Sequence, residues 1–277
     1  MYRAKKLGRN QHSFFEPEMQ KKFLADYKIE NDLRASIENE EFTLLYQPVI
    51  SPKSSEVTGF EALLRWPEFK EIGPDKFIPI AEKSLLIIAL GRWVIAEALK
   101  QLSYWNKISQ KPISIAINLS PVQLSDPELL DFIVEKIKKF DLLPENIEFE
   151  LTETALLVES EVTNQTIQAI SDLGCRIALD DFGTGYSSLS HLHSYPINTV
   201  KIDRSLMPSA SSNEISTQLL TGLVAMINSL NLMIVAEGVE NEQDLALCKQ
   251  LSIQKVQGYY FNPPLCVSDI ESIYSKS

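Results

Sequence analysis

A chain of 277 residues, 44% of them apolar, can bury one large core, and in a barrel architecture that length forms a single domain. With 26 basic against 37 acidic side chains, a formal charge of −11 and no cluster of Lys or Arg, it excludes a DNA or RNA polymer as partner. A small phosphate ligand is still compatible with such an acidic chain where carboxylates hold divalent cations, because the ions then supply the positive charge.

In chain order, the first segment with a pattern runs from Phe15 to about Glu40, where Ile29, Leu33 and Ile37 recur every four residues in a charged background. This spacing predicts a connecting helix with one apolar stripe. Eight stretches rich in β-branched and aliphatic residues follow: Phe42–Val49, Glu56–Leu64, Ile113–Leu119, Ile147–Glu153, Cys175–Asp181, Thr199–Asp203, Leu232–Glu237 and Lys255–Gly258. Helical patterns separate all but the first two, which predicts an α/β fold with a mainly parallel sheet. Only Ile50–Ser55 lies between those two, too short for a crossover helix, so they are expected to pair antiparallel. Among the helices, Asp126 and Asn241 read as amino-terminal caps and Gly174 as a left-handed stop. The most apolar helix, about Ser84 to Leu102, carries Arg92 and Glu97 and reads as a core helix, so no membrane contact by this chain is expected. Cys175, Cys248 and Cys266 are dispersed and odd in number, which fits a reducing cytoplasm better than a disulfide framework or a zinc knuckle.

Chemistry concentrates at the strand ends. Gln47, Glu61, Asn118, Glu150, Asp180 with Asp181, Lys201 with Asp203, Glu237 and Gln257 each fall at or near one. In a barrel the carboxyl ends of the strands converge on one mouth. Alternation along Val200–Asp203 turns Lys201 and Asp203 inward, and the same parity turns Asn118 inward. Five or six carboxylates brought together without cations would cost several kcal/mol per uncompensated charge, so the cluster implies bound metal or strongly raised pKa values, of which metal is the simpler answer. The donors are all oxygens and none of His12, His191 and His193 stands at a strand end, which favours Mg2+ or Mn2+ over zinc. A pair of such ions ~3.5–4 Å apart and bridged by a carboxylate suits in-line displacement at phosphorus, and Asp180-Asp181 suits the bridging. Taken singly the residues say less: Glu148 and Glu150 fit solvated strand positions equally well, Lys201 alone reads as a salt-bridged lysine, and Gly183-Thr184-Gly185 alone reads as a tight turn.

Several ordered motifs give the chain a resemblance to a known family. They are Tyr46-Gln47-Pro48, Glu61-Ala62-Leu63-Leu64-Arg65-Trp66, Asn118-Leu119-Ser120, Glu150-Leu151-Thr152-Glu153, Asp180-Asp181-Phe182-Gly183, Lys201-Ile202-Asp203, Ala236-Glu237-Gly238-Val239-Glu240 and Gln257-Gly258-Tyr259. From about Glu40 to Leu265 the chain resembles the EAL domains of cyclic di-GMP phosphodiesterases. The resemblance implies a modified TIM (β/α)8-type barrel with one antiparallel strand over residues 41–277, preceded by a linker helix at 16–40. It also implies hydrolysis of cyclic di-GMP to linear pGpG, assisted by two Mg2+ or Mn2+ ions. Carried over by position, Glu61, Asn118, Glu150 and Asp180 would hold one ion, and Asp180, Asp181 and Glu237 the other. Lys201 would orient water or phosphate with Asp203 and Gln257 nearby. Gln47 and Arg65 would contact phosphate or ribose, and Glu153 would anchor the loop after Asp181. The general base is left open between Lys201 and a neighbouring carboxylate. Residues 1–15 resemble the end of a GGDEF domain, which implies an upstream domain in a longer protein, and the family's habits imply a homodimer. Two departures bear on the substrate rim: Pro67–Pro79 is short, and Leu85 stands where a glycine is common. Two other functions are weighed. A non-catalytic cyclic di-GMP receptor would not need the carboxylates retained here, and an enolase-type barrel with Lys201 as base leaves Asp180-Asp181, Asn118 and Arg65 unexplained.

Overall fold

The computed structural model describes residues 17–109, 111–156, 160–183, 194–208 and 214–274. Its eight strands are β1 (Thr43–Ile50), β2 (Val57–Arg65), β3 (Ser114–Asn118), β4 (Ile147–Thr152), β5 (Arg176–Phe182), β6 (Thr199–Ile202), β7 (Met233–Ala236) and β8 (Lys255–Val256). They close into one barrel in sequence order. β1 runs antiparallel to both β2 and β8, and every other neighbouring pair is parallel. Each strand lies within a residue or two of the stretch expected for it, because β-branched alternation bounded by turn residues is a local signal.

The reversed β1 has a geometric consequence. Thr43 pairs with Arg65, and Gln47 with Glu61, so the amino end of β1 lies at the carboxyl end of β2. Gln47 and Glu61 are therefore mid-strand partners and not strand ends as expected. At the open end of the hairpin, Phe42 and Trp66 join a second core with Leu33, Phe77, Ile80 and Leu90. Helix α1 (Pro17–Glu38) contributes Leu33 to it, fully buried, with Ile29 and Ile37 packed alongside. Trp66 donates its indole N–H to Ser36 Oγ at 3.0 Å. The expected apolar stripe is thus a docked face of the barrel's flank. Residues 1–15, likened above to the end of another domain, lie outside the described residues.

The main core lies between the barrel's outer surface and its helices, where Ile115, Ile117, Phe149, Leu151, Ile177 and Val200 are all buried. Asn241 caps the helix Glu242–Gln250 by accepting from the N–H of Asp244, as its sequence position predicts. Gly174 takes φ +94 after the helix Glu161–Asp172, the left-handed stop expected. Asp126, three residues before the helix Leu129–Phe140, accepts instead from the N–H of Glu128, the residue at the cap position. Among the described residues no helix is long and apolar enough to cross a membrane.

Leu85, between helix α2 (Pro74–Lys83) and helix α3 (Leu86–Ile108), adopts φ 62 and is 61% exposed. A left-handed conformation costs a β-carbon residue roughly 1–2 kcal/mol, part of which glycine's extra chain entropy offsets. Leu85→Gly is therefore expected to raise unfolding free energy by about 0.5–1 kcal/mol, read from a urea midpoint at unchanged slope. A lowered midpoint would show that the leucine side chain packs more than its exposure implies.

Candidate metal centre at the barrel mouth

Lys201, on β6, points into the barrel as its parity requires, with a side chain only 3% exposed. Its ammonium is 2.8 Å from Glu150 Oε1, 2.9 Å from Glu237 Oε1, and 3.2 Å from both Glu61 Oε2 and Asp180 Oδ1. These four carboxylates surround the ammonium at ion-pair distance. Glu61 comes from β2, Glu150 from β4, Asp180 from β5, and Glu237 from the residue after β7. Neighbouring-strand registers of Asn118 with Glu150 and Thr152 with Asp180 bring these side chains to one layer despite their different distances from the strand ends.

Asp181 reaches the same site by another route. Leu179 pairs with Val200 but Phe182 with Ile202, so three residues of β5 span two of β6. Within this bulge Asp181 takes φ 54, and its N–H is accepted by Asp180 Oδ1 at 2.9 Å. Strict alternation would send one of the two aspartates outward, and the bulge turns both toward the mouth. Oxygens of Asp180, Asp181 and Glu237 lie within 4.8 Å of one another.

Around Glu61 a chain of amides fixes the carboxylate. Asn118 donates to Oε1 at 3.0 Å, and Gln257 donates to Oε2 at 2.7 Å and to Gln47 Oε1 at 3.0 Å. Gln47 in turn donates to the carbonyl of Asn262 at 3.2 Å. Burial would raise the Glu61 carboxyl, but the Lys201 ammonium and these donors outweigh it and hold it below the ordinary carboxylate range. Glu150 behaves oppositely: burial, then the charge of Glu61, push it well upward despite Lys201. Burial raises Glu237 to about 7, with Asp180 and Glu61 adding to it against the pull of Lys201. Burial and the adjacent Asp180 raise Asp181. Burial opposes the charge on Lys201, yet Asp180, Glu150, Glu61 and Glu237 together hold its ammonium well above the usual range.

Five ionised carboxylates facing one ammonium would leave four negative charges, the charge of two divalent cations. Glu150 Oε2 is buried without a hydrogen-bond partner among the described residues. An orphaned acceptor, an all-oxygen donor set and a compact carboxylate triad fit hard divalent ions. Neither Glu148 nor Glu150 is a solvated strand residue: both are buried inside the barrel, and Glu148 accepts a short hydrogen bond from the hydroxyl of Thr199.

A 360 Å³ cavity opens beside the cluster, with Glu61, Arg65, Glu82, Leu90, Asn118 and Gln123 in its lining. Arg65, at the end of β2, donates to the carbonyl of Leu64 at 2.9 Å, and burial lowers its guanidinium. Asp203 caps the next turn by accepting from Ser205 N–H at 2.8 Å. Glu153 is buried at the start of the short helix Glu153–Leu156, but the segment it is expected to anchor, after Gly183, lies outside the described residues, as do the three histidines. Glu82 and Gln123 were not singled out in the sequence. Glu82 accepts from Ser120 Oγ at 2.6 Å, and Gln123 closes a capping box with Ser120. The Ser-x-x-Gln spacing of that box is legible, whereas nothing local marks Glu82.

The EAL-domain family profile matches residues 30–264, covering every carboxylate named above. The chain belongs to the EAL-domain family. Over its full length this EAL domain is 36% identical to the cyclic di-GMP phosphodiesterase PdeR of Escherichia coli K12, covering 42% of that protein. Among solved structures it is similar to the PaMucR phosphodiesterase in complex with c-di-GMP, with a TM-score of 0.81, 33% identity and coverage of 88% of this chain and 99% of that one. It is also similar to the FimX EAL domain from Pseudomonas aeruginosa bound to c-di-GMP, with a TM-score of 0.78, 28% identity and coverage of 86% and 96%. The EAL domain spans between 32% and 42% of the length of the curated relatives it matches.

Proposed function

We propose that this EAL domain hydrolyses cyclic di-GMP to linear pGpG. The observation that carries the proposal is the convergence of five carboxylates and one lysine on the barrel mouth, in a chain 36% identical to a cyclic di-GMP phosphodiesterase. Glu61, Asn118, Glu150 and Asp180 would hold one Mg2+ or Mn2+, and Asp180, Asp181 and Glu237 a second. When bound, such ions lower the pKa of water and neutralise charge on a phosphoryl oxygen.

The chain's own groups do the rest. Lys201, at ion-pair distance from four of the carboxylates, would turn an N–H toward an incoming water or phosphate oxygen once other cations take over the carboxylates. Lys201 and the carboxylates around it are the groups within reach to take the proton of the attacking water. Arg65 in the cavity lining has a guanidinium shaped for a phosphate, and Gln47, Asp203 and Gln257 would meet the substrate beside it. Water adds to phosphorus, the bond to the 3′ oxygen breaks, and that oxygen leaves with a proton. One phosphodiester is opened and the other remains intact. The longer relatives favour control of this activity by a further domain in the whole protein.

The test is chromatographic analysis of products after mixing the purified chain with cyclic di-GMP and Mg2+ or Mn2+, with an EDTA control. Metal-dependent pGpG is the expected result. Intact ligand that nevertheless binds would replace the enzyme reading with a receptor one.

A further inference from the structure

The turn Arg204–Leu206, immediately after Lys201-Ile202-Asp203, stands between the two loops that carry the acidic triad. On one flank Leu206 occupies the space beside Gly183, where an added Cβ would lie 2.2 Å from Leu206 Cδ1. Gly183 has φ +97 and comes two residues after Asp181. On the other flank the stem of Arg204 covers Gly238, where an added Cβ would meet Arg204 Cβ at 2.6 Å and its Cγ and Cδ at 2.8 Å. Gly238 has φ +63 and directly follows Glu237.

The guanidinium continues past that loop. Arg204 Nη1 is 2.7 Å from Asp244 Oδ2, and Nη2 is 3.4 Å from Glu240 Oε2. Asp244 is buried, and the same Oδ2 accepts from Glu240 N–H at 3.1 Å and from Asn241 Nδ2 at 3.2 Å. One carboxylate therefore ties the arginine to the backbone of the loop that starts at Glu237. Arg204 is a third exposed, and a pair of that kind adds little to global stability, so its geometry matters more to the loop than to the fold.

We propose that Arg204, anchored on Asp244, is a positioning residue that holds Glu237 at ligand distance from Asp180 and Asp181. The proposal rests on the reading of Glu237 as a metal ligand. A glycine in the left-handed region gives the Glu237 loop no side chain of its own to fix its course, and the arginine stem supplies the missing wall. Groups behind the ligands of a metal site commonly change its affinity 10–100-fold.

The test is calorimetric titration of Mn2+ into EDTA-stripped wild type, Arg204→Ala, Arg204→Lys and Asp244→Asn, each paired with thermal unfolding. Arg204→Ala and Asp244→Asn are expected to weaken Mn2+ binding about tenfold or more, with a melting temperature within a few degrees of wild type. Arg204→Lys, which keeps the stem and charge but not the fork, should recover part of the loss. Wild-type affinity in a folded Arg204→Ala would overturn the proposal. So would failure of both Arg204→Ala and Asp244→Asn to fold, which would assign the pair to stability, or a wild-type chain that binds no Mn2+. A wild-type chain that binds Mn2+ but leaves cyclic di-GMP intact would overturn the phosphodiesterase reading and leave this one standing.

Discussion

Asp180→Asn is expected to lower the rate of pGpG formation by about 10³-fold or more while the barrel stays folded. Asp180 lies 3.2 Å from the Lys201 ammonium and also belongs to the triad with Asp181 and Glu237, so it serves both halves of the acidic cluster. Asparagine keeps the oxygen that accepts from Asp181 N–H, and with it the bulge, but removes a charge from the centre. A metal ligand contributes several kcal/mol to stabilising charge in phosphoryl displacement, and each 1.36 kcal/mol is tenfold in rate. About 4 kcal/mol therefore corresponds to the stated loss. Initial rates at saturating Mn2+, with circular dichroism melting as the control for folding, measure it. Activity within tenfold of wild type would remove Asp180 from the metal centre.

Lys201→Met is expected to lower the stability of the metal-free chain by about 3–5 kcal/mol, the usual cost of stripping a buried charge cluster of its partner. The Lys201 ammonium is at ion-pair distance from Glu61, Glu150, Asp180 and Glu237, and methionine keeps most of the unbranched stem without the charge. At ~2–4 °C per kcal/mol for a chain of this size, the melting temperature should fall by roughly 6–20 °C. Added Mn2+ should restore much of that loss and raise the variant's melting temperature more than the wild type's, because the ions replace the missing positive charge. Equal shifts in both proteins would mean that Lys201 and the metal ions do not share these carboxylates.

The site could be read from the sequence only in part, and Gln47 shows why. Its motif marked it as polar and near a strand, but its function in the fold, receiving Gln257 in the amide chain that fixes Glu61, depends on residues about two hundred positions apart. Glu150 is a second case: its charge was evident, but a solvated strand position fitted the local pattern equally well until the barrel closed around it. Asp181 is a third, since alternation alone would place it on the opposite face from Asp180.

By itself the sequence determined the eight strands, the antiparallel first hairpin and the inward direction of Lys201, because these follow from backbone preferences over a few neighbouring residues. The short Ile50–Ser55 connection left the first two strands no other pairing. Only the tertiary structure decided the β5 bulge that turns two adjacent aspartates to one mouth, the docking of Leu33 under Trp66 and Phe77, and the grip of Arg204 and Asp244 on the Glu237 loop. Those features join segments far apart in the chain. Their partners are fixed by strand tilt and barrel closure, which no local pattern of residues encodes.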